Sequence, residues 1–235
     1  MTAPRPRVDA IVALDVPSAD EALGLARRLG GDGFYKVGLE LFTAAPGVVD
    51  QVQRLGARVF LDLKLHDIPN TVAGAARSAA RMRVDLLTVH AAGGRDMVRA
   101  AVDGAGDACG VLAVTVLTSM DQPALAAAAG RPGVVVADEV LRLAYVAAEA
   151  GAHGVVCSGH EAAAVRARFG DRLAILVPGV RLAGDAAGDQ RRVVTPGEAA
   201  RAGARYVVLG RTVTAAADPA AALARARAEL VPARS

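Results

Sequence analysis

Eight short runs rich in β-branched and other apolar residues recur along the chain, separated by longer Ala-rich segments. The runs span residues 8–15, 34–39, 57–64, 84–90, 110–117, 153–158, 173–179 and 205–210. Among the segments between them, 18–29 and 138–151 have the apolar spacing of amphipathic helices. Ser18 followed by Glu21 is a capping-box start for the first of these helices. This regular alternation predicts a parallel sheet with helical crossovers.

The number of repeats decides between two folds that both alternate strands and helices. A doubly wound open sheet is one alternative, but eight units in an uninterrupted chain of 235 residues favour a (β/α)8 TIM barrel, of the α/β class. No linker or change of composition divides the chain, so we expect one barrel domain over residues 1–235. Two longer connections, 118–133 and 180–195, are candidate lids.

Composition excludes several classes of function. Hydrophobic residues make up 53% of the chain and charged residues 22%, enough to build a core and to exclude global disorder. Only 3% of residues are aromatic and none is Trp, which argues against a stacking surface for single-stranded nucleic acid. The net charge of +3 is small and the arginines are dispersed, so we expect no nucleic-acid partner.

Cysteine placement and apolar run length bear on the compartment. Cys109 and Cys157 lie far apart without zinc-type spacing, which favours buried thiols in a reducing environment. The N-terminal stretch has no apolar signal region, and no apolar run approaches membrane-spanning length. A cytoplasmic protein without membrane contact is expected.

Lysine is scarce, and its positions are informative. Of 27 Lys and Arg residues only Lys36 and Lys64 are lysine, and both fall at the ends of neighbouring predicted strands. Lys64 lies between Asp62 and Asp67 in "FLDLKLHDIPNT". A surface ion pair is the ordinary fate of such residues. However, arginine cannot give up a proton and lysine can, so lysine retained at these two sites favours proton donation or a compact charge.

The alternation of side chains along a strand predicts which way these residues point. Successive residues point to opposite faces, so Phe60, Asp62 and Lys64 share the face that points into the barrel mouth, and Asp67 lies beyond the strand. The opposite face is apolar and suited to packing on helices: Val59, Leu61 and Leu63. Catalytic groups of such barrels come from the C-terminal ends of strands, which makes this a candidate active site.

The last two strand ends indicate an anion site. Gly210 and Arg211 lie at the junction of the eighth strand and its helix, where backbone N–H groups and a guanidinium suit a phosphate. Arg181 and Gln190 lie on the Gly-rich connection after the seventh strand, which could close over an anion or be a solvated surface loop. His90 ends the fourth strand. It either lines the barrel mouth or is a hydrogen-bonded structural histidine.

Together these residues resemble the orotidine 5′-phosphate decarboxylase family of the bacterial type. The resemblance spans nearly the whole chain in order and is carried by "ALD" (13–15), "FYKVGLELF" (34–42), "DLKLHDIPNT" (62–71), "VTVLTSM" (114–120), "PGVRLAGDAAGDQRRV" (178–193) and "VVLGR" (207–211). The D-x-K-x-x-D motif alone is shared with related phosphosugar barrels, whereas the "HDIPNT" continuation and the "GDAAGDQ" loop are specific. The connection 118–133 matches least well.

The resemblance implies a role for each matching residue. Asp15 and Lys36 contact the ribose, Asp62 lies next to the substrate carboxylate, and Lys64 supplies the proton within a Lys-Asp-Lys-Asp array that includes Lys36 and Asp67. The remaining roles are implied as follows: Asp67 and Thr71 reach into the neighbouring site of a homodimer, Thr118 contacts the pyrimidine, Gln190 bridges base and phosphate, Arg181 binds substrate, and Gly210 and Arg211 hold the phosphate.

The implied activity is decarboxylation of orotidine 5′-phosphate to UMP, the last step of de novo pyrimidine biosynthesis. Loss of CO2 leaves an in-plane carbanion that the ring cannot delocalise, and the sequence has no recognisable cofactor or metal motif, so we expect none of either and an electrostatic mechanism. Three alternatives stay open: a Mg²⁺-dependent phosphosugar decarboxylase or aldolase, a Schiff-base aldolase using Lys64, and a non-catalytic binder of a nucleoside monophosphate.

Overall fold

Eight parallel strands close into a barrel in the computed structural model, which describes residues 8–184 and 193–231. The strands are β1 (Asp9–Ala13), β2 (Phe34–Gly38), β3 (Arg58–Leu65), β4 (Leu86–His90), β5 (Gly110–Val114), β6 (Gly154–Val156), β7 (Ala174–Val180) and β8 (Tyr206–Leu209). Each pairs with its neighbour in sequence, and β8 returns to pair with β1. The predicted TIM barrel is confirmed, with a strand in each of the eight apolar runs.

Helices follow the strands and cover the outside of the barrel. They are α1 (Ala19–Arg28), α2 (Leu39–Ala44), α3 (Val48–Gln53), α4 (Pro69–Arg81), α5 (Gly94–Ala105), α6 (Gln122–Ala129), α7 (Val136–Glu149), α8 (Gly159–Phe169), α9 (Pro196–Arg201), α10 (Arg211–Thr214) and α11 (Pro219–Leu230). One half of the predicted capping box is present, because Ser18 Oγ accepts a hydrogen bond from the Glu21 N–H. The Glu21 carboxylate accepts from the Ser18 hydroxyl at 3.0 Å. The long connection 118–133 contains α6, which the sequence pattern did not predict. Within the described residues, no helix is long and apolar enough to cross a membrane.

Strand alternation produces two apolar cores. Outward-facing residues such as Val59 and Leu61 pack against the helices. Inward-facing residues fill the barrel: Ile11, Ala13, Phe34, Phe60, Leu86, Leu112, Val114, Val156, Leu176, Tyr206 and Val208. Burial of a side chain the size of Phe60 stabilises the fold by roughly 1.5–3 kcal/mol. Above this inner core, on the same inward face, the next residues are polar, beginning with Lys36, Asp62 and Thr88, all buried.

The end of β3 departs from regular strand geometry. Leu61 pairs with Leu87 and Leu65 pairs with Val89, so four steps along β3 face only two along β4. Lys64 lies inside this bulge with φ of 49°, in the left-handed region. The expectation of simple alternation up to Lys64 therefore fails at this residue, although its side chain still faces the barrel mouth.

The opposite, N-terminal end of the barrel is held by an ion network. Arg58 donates to Asp85 at 2.9 Å and to Asp9 at 3.2 Å, and Arg205 is 3.2 Å from the same Asp9 oxygen. The Arg58 guanidinium also stacks over the ring of Phe34, 4.0 Å from its centroid. These contacts cover the inner core at the N-terminal end of the barrel. The candidate site lies at the opposite end.

Candidate active site

A cavity of about 500 Å³ opens at the C-terminal ends of the strands. Its lining includes eight of the residues singled out from the sequence: Asp15, Lys36, Asp62, Lys64, Thr118, Arg181, Gly210 and Arg211. A larger cavity of about 730 Å³ lies at the N-terminal ends of β6–β8 and contains none of these residues. The smaller cavity is the candidate active site, because the candidate polar groups converge there.

Four side chains from three strands form a charged array on one wall. Lys64 Nζ donates to both carboxylate oxygens of Asp62, at 2.9 and 2.8 Å. Lys36 Nζ lies 3.6 Å from Asp62 Oδ2 and 2.7 Å from Asp15 Oδ1. Asp15 follows β1, Lys36 belongs to β2, and Asp62 and Lys64 belong to β3. Adjacent parallel strands therefore bring two ammoniums and two carboxylates into a continuous chain of contacts.

The array controls the ionisation of Asp62. Burial by itself raises the pKa of this carboxyl group. The charges of Lys36 and Lys64 and the hydrogen bonds from Lys64 and Thr88 outweigh burial, and the pKa of Asp62 lies below its ordinary value. Asp62 is thus a carboxylate at neutral pH, and a fixed negative charge lies inside the cavity.

Gly38 makes room for the Lys36–Asp15 contact. A Cβ atom at this position would lie 2.9 Å from Lys36 Nζ and 3.1 Å from Asp15 Oδ1. The backbone of Gly38 is extended, at φ of −93°, so close approach and not conformation is the reason that glycine fits here. Gly38 was not among the site residues predicted from the sequence.

The cavity floor is apolar. Inward-facing side chains of five strands line it below the charged wall: Phe60, Val114, Val156, Leu176 and Val208. Val116, Leu117 and Thr118 continue the lining beyond β5. Lys36 and Asp62, the two buried charges above this floor, interact more strongly than charges on a surface.

The far side of the cavity combines arginines with accessible backbone. Arg181 is buried, and its guanidinium donates to the Val180 carbonyl at 3.2 Å. A Cβ at Gly210 would meet nothing within 4 Å, so the backbone there is open to a ligand, and Arg211 beside it is exposed. Arg181 N–H donates to the Val194 carbonyl at 3.0 Å, which joins the two ends of the connection after β7. Gln190, the remaining candidate on that connection, lies outside the described residues.

Asp67 and Thr71 do not line the cavity of their own chain. Both are exposed, and Asp67 Oδ1 accepts a 2.6 Å hydrogen bond from the Ile68 N–H. Ile68 itself is 67% exposed, and Leu39, after the neighbouring strand, is 55% exposed. Two large apolar side chains are thus presented to solvent at the same end of the barrel as the cavity.

His90 lies next to the array but faces another histidine. Its ring centroid is 5.4 Å from that of His66. Burial, followed by the charges of His66 and Lys64, lowers the pKa of His90. A neutral imidazole at neutral pH follows, and His90 is absent from the residues that line the cavity.

Thr88 is a second site residue, after Gly38, that was not predicted from the sequence. It is fully buried on β4, and its hydroxyl contacts both the Asp62 carboxylate and the Lys64 backbone. Thr88 precedes His90 by two positions, so applying strand alternation to β4 as it was applied to β3 would have placed it on the inward face. In the ranges 8–184 and 193–231, no group of three or more His, Cys, Asp or Glu side chains could hold a metal ion.

Comparison with known proteins agrees with this geometry. The family model described as "Orotidine 5'-phosphate decarboxylase / HUMPS family" matches residues 9–226. The chain belongs to this family. An orotidine 5′-phosphate decarboxylase of Anaeromyxobacter dehalogenans is 59% identical over 214 residues, covering 89% of this chain and 92% of that protein. One of Moorella thermoacetica is 50% identical over 230 residues, covering 94% and 91%.

A solved structure of the family has the same fold. The crystal structure of orotidine 5′-phosphate decarboxylase from Lactobacillus acidophilus superimposes with a TM-score of 0.84 at 36% identity, covering 97% of this chain and 99% of that one. The family resemblance read from the sequence is therefore confirmed. The family model extends from β1 into α11, so it includes every strand that contributes to the cavity.

Proposed function

We propose that this chain decarboxylates orotidine 5′-phosphate to UMP, the last step of de novo pyrimidine biosynthesis, in the cytoplasm and without a cofactor. The observation that carries the proposal is the Lys36–Asp62–Lys64 array at the edge of the apolar cavity. Family membership and the names of the similar proteins support the substrate.

Lys64 is the proposed proton donor. When the bond between carbon 6 and the carboxylate breaks, CO2 leaves and the electron pair stays on carbon 6. The Lys64 ammonium stabilises this developing charge and then transfers a proton to the carbon. Its Nζ reaches the reaction already oriented, because Asp62 contacts it through both carboxylate oxygens. A charge that is already oriented need not reorganise during the reaction, which is the main source of electrostatic catalysis.

Asp62 has a second proposed role. Its carboxylate is held ionised within the cavity, close to where the substrate carboxylate would lie beside Lys64. Repulsion between the two carboxylates is relieved as neutral CO2 departs. Asp15 and Lys36 would bind the ribose hydroxyls from the first two strands.

The remaining residues are proposed to bind the rest of the nucleotide. Thr118 contacts the pyrimidine, Arg181 and Gln190 bind from the connection after β7, and Gly210 and Arg211 hold the phosphate. The open backbone at Gly210 and the adjacent guanidinium support the phosphate assignment. Binding energy from a distant phosphate can be used to orient the reacting ring.

A homodimer is also proposed, in which Asp67 and Thr71 complete the neighbouring site. Their exposure and absence from their own cavity support this, as do two exposed apolar side chains, Ile68 next to Asp67 in sequence and Leu39 at the same end of the barrel. Large exposed apolar side chains at one place are typical of a protein interface.

The test is the loss of orotidine 5′-phosphate absorbance in excess chelator, for the parent chain, Lys64→Ala and Lys64→Arg. We expect full parental turnover with chelator and a kcat lower by at least about 10³-fold in Lys64→Ala, since both charge stabilisation and proton donation are lost. Lys64→Arg keeps a cation that cannot donate a proton and should also be severely impaired. Activity abolished by chelation would favour the magnesium-dependent alternative, and UMP binding without turnover would favour a nucleotide binder.

A further inference from the structure

The backbone of Lys64 is in an unusual conformation that something must hold. Its φ of 49° is one of two positive values among the described non-glycine residues, the other being Arg83. A left-handed conformation is unfavourable for a residue that has a Cβ atom, because this atom then lies too close to the following carbonyl oxygen. It persists only where surrounding contacts favour it, and such residues cluster at functional sites.

The bulge in β3 also removes Lys64 from the regular ladder. Pairing with β4 stops at Leu61–Leu87 and resumes at Leu65–Val89. Lys64 lies between these pairs and has no paired residue on β4. A buried N–H group without a partner is costly, so the Lys64 N–H requires another acceptor at this place.

Thr88 supplies that acceptor, from the β4 segment opposite the bulge. Its Oγ1 accepts the Lys64 N–H at 2.9 Å and donates its own hydrogen to Asp62 Oδ1 at 2.9 Å. The side chain has no solvent exposure, so water does not compete for either bond. A hydroxyl has one donor and two acceptor sites, and it can serve both partners at once.

We propose that Thr88 is a positioning residue for the reaction. Its hydroxyl holds the Lys64 backbone in the left-handed conformation and fixes the Asp62 carboxylate, whose two oxygens then fix Lys64 Nζ. One side chain thereby constrains both the backbone and the ammonium group of the catalytic lysine. Thr88 does not line the cavity and acts only through these two residues. The catalytic consequence rests on the proposed function, whereas the constraint on Lys64 does not.

Two substitutions separate the hydroxyl from the shape of the side chain. Thr88→Val keeps the shape and loses the hydroxyl, and Thr88→Ser keeps the hydroxyl and loses one methyl group. For orotidine 5′-phosphate we expect Thr88→Val to lower kcat on the order of 10²-fold, the scale of a small misplacement of a catalytic group. KM should change less than about threefold, because Thr88 does not contact the cavity. Thr88→Ser should keep most of the parental kcat.

A measurement that does not depend on activity is hydrogen exchange at the Lys64 amide. We expect exchange at least about tenfold faster in Thr88→Val than in the parent and near-parental exchange in Thr88→Ser, because only the hydroxyl protects this amide. Thr88→Ala carries the same expectations as Thr88→Val and replaces it should that protein not fold.

The outcomes distinguish this proposal from the proposed function. An inactive parent with the expected exchange pattern would reject the decarboxylase and leave the constraint on Lys64 intact. A hydroxyl-free variant with parental kcat, or with unchanged exchange at Lys64, would overturn the positioning role. A loss of kcat in Thr88→Ser as large as in Thr88→Val would also overturn it, because packing of the methyl group would then be what matters.

Discussion

Lys64 Nζ lies 2.9 and 2.8 Å from the two carboxylate oxygens of Asp62, so a single carboxylate holds this ammonium through both oxygens. The same carboxylate is 3.6 Å from Lys36 Nζ. One buried negative charge thus separates two positive charges at the end of neighbouring strands. The Asp62–Lys64 pair is the centre of the proposed chemistry, and we expect it also to stabilise the mouth of the barrel.

Replacing this carboxylate should change the acid sensitivity of the fold. The pKa of Asp62 is lower in the folded chain than in the unfolded chain, so the unfolded chain binds more protons at acid pH. The stability contributed by Asp62 is therefore present above a pH of about 4 and is lost as the pH falls through its lower folded pKa. In urea unfolding at a series of pH values, Asp62→Asn should show a shallower acid loss than the parent. At pH 7 it should be less stable by about 1–3 kcal/mol, because Lys36 keeps Asp15 but Lys64 loses its partner. Equal acid slopes would contradict this account.

Gly38→Ala should damage the site although it replaces no charged residue. The added methyl group would press on Lys36 Nζ and Asp15 Oδ1 and push this ion pair apart. We expect kcat/KM for orotidine 5′-phosphate to fall on the order of 10²-fold, since displacing a binding group by about 1 Å has effects of this size. Gly24→Ala on α1 is the matched control, because its new Cβ meets nothing within 4 Å. It should leave kcat/KM unchanged and raise stability by roughly 0.5–1 kcal/mol. Parental kinetics in Gly38→Ala would contradict this prediction, because Lys36 and Asp15 would then accommodate the methyl group without loss of function.

Most of the fold and much of the cavity follow from local sequence patterns. Short apolar runs rich in β-branched residues identified all eight strands. Alternation with period two placed Asp62 at the barrel mouth, because this period is a property of the strand itself. The scarcity of lysine singled out Lys36 and Lys64, which the structure brings to one carboxylate.

The features that could not be predicted from the sequence depend on contacts between segments that are distant in the chain. The left-handed Lys64 arises from the mismatch of β3 and β4, and neither strand reveals it alone. Thr88 matters because that mismatch sets its hydroxyl beside both Asp62 and Lys64, 26 and 24 residues away in sequence. The need for glycine at position 38 likewise comes from a contact between the loop after β1 and β2.

Arg211 should contribute through the phosphate alone. Removing a charge-assisted hydrogen bond to phosphate in Arg211→Ala should lower kcat/KM for orotidine 5′-phosphate on the order of 10- to 100-fold. With orotidine, which has no phosphate, the same variant should match the parent at the low parental rate. Arg54→Ala, which removes an exposed arginine remote from the cavity, is the control and should be neutral on both substrates. An equal penalty with orotidine would assign Arg211 to another part of the nucleotide.

Mixed dimers test whether Asp67 serves the neighbouring site. Lys64→Ala and Asp67→Ala should each be nearly inactive alone, because in a homodimer of either variant both sites lack a required side chain. Refolded or co-expressed together at equal amounts, they should recover about a quarter of the parental activity, since half of the dimers are mixed and each of those has one intact site. Lys64→Ala mixed with Asp62→Ala is the matched control, because both residues line the cavity of their own chain and no intact site can form. Assays of the purified mixed dimers, separated by differing tags, give the answer directly. If the Lys64→Ala and Asp67→Ala mixture remains as inactive as this control, Asp67 acts within its own chain. If Asp67→Ala is fully active alone, Asp67 has no role in the reaction.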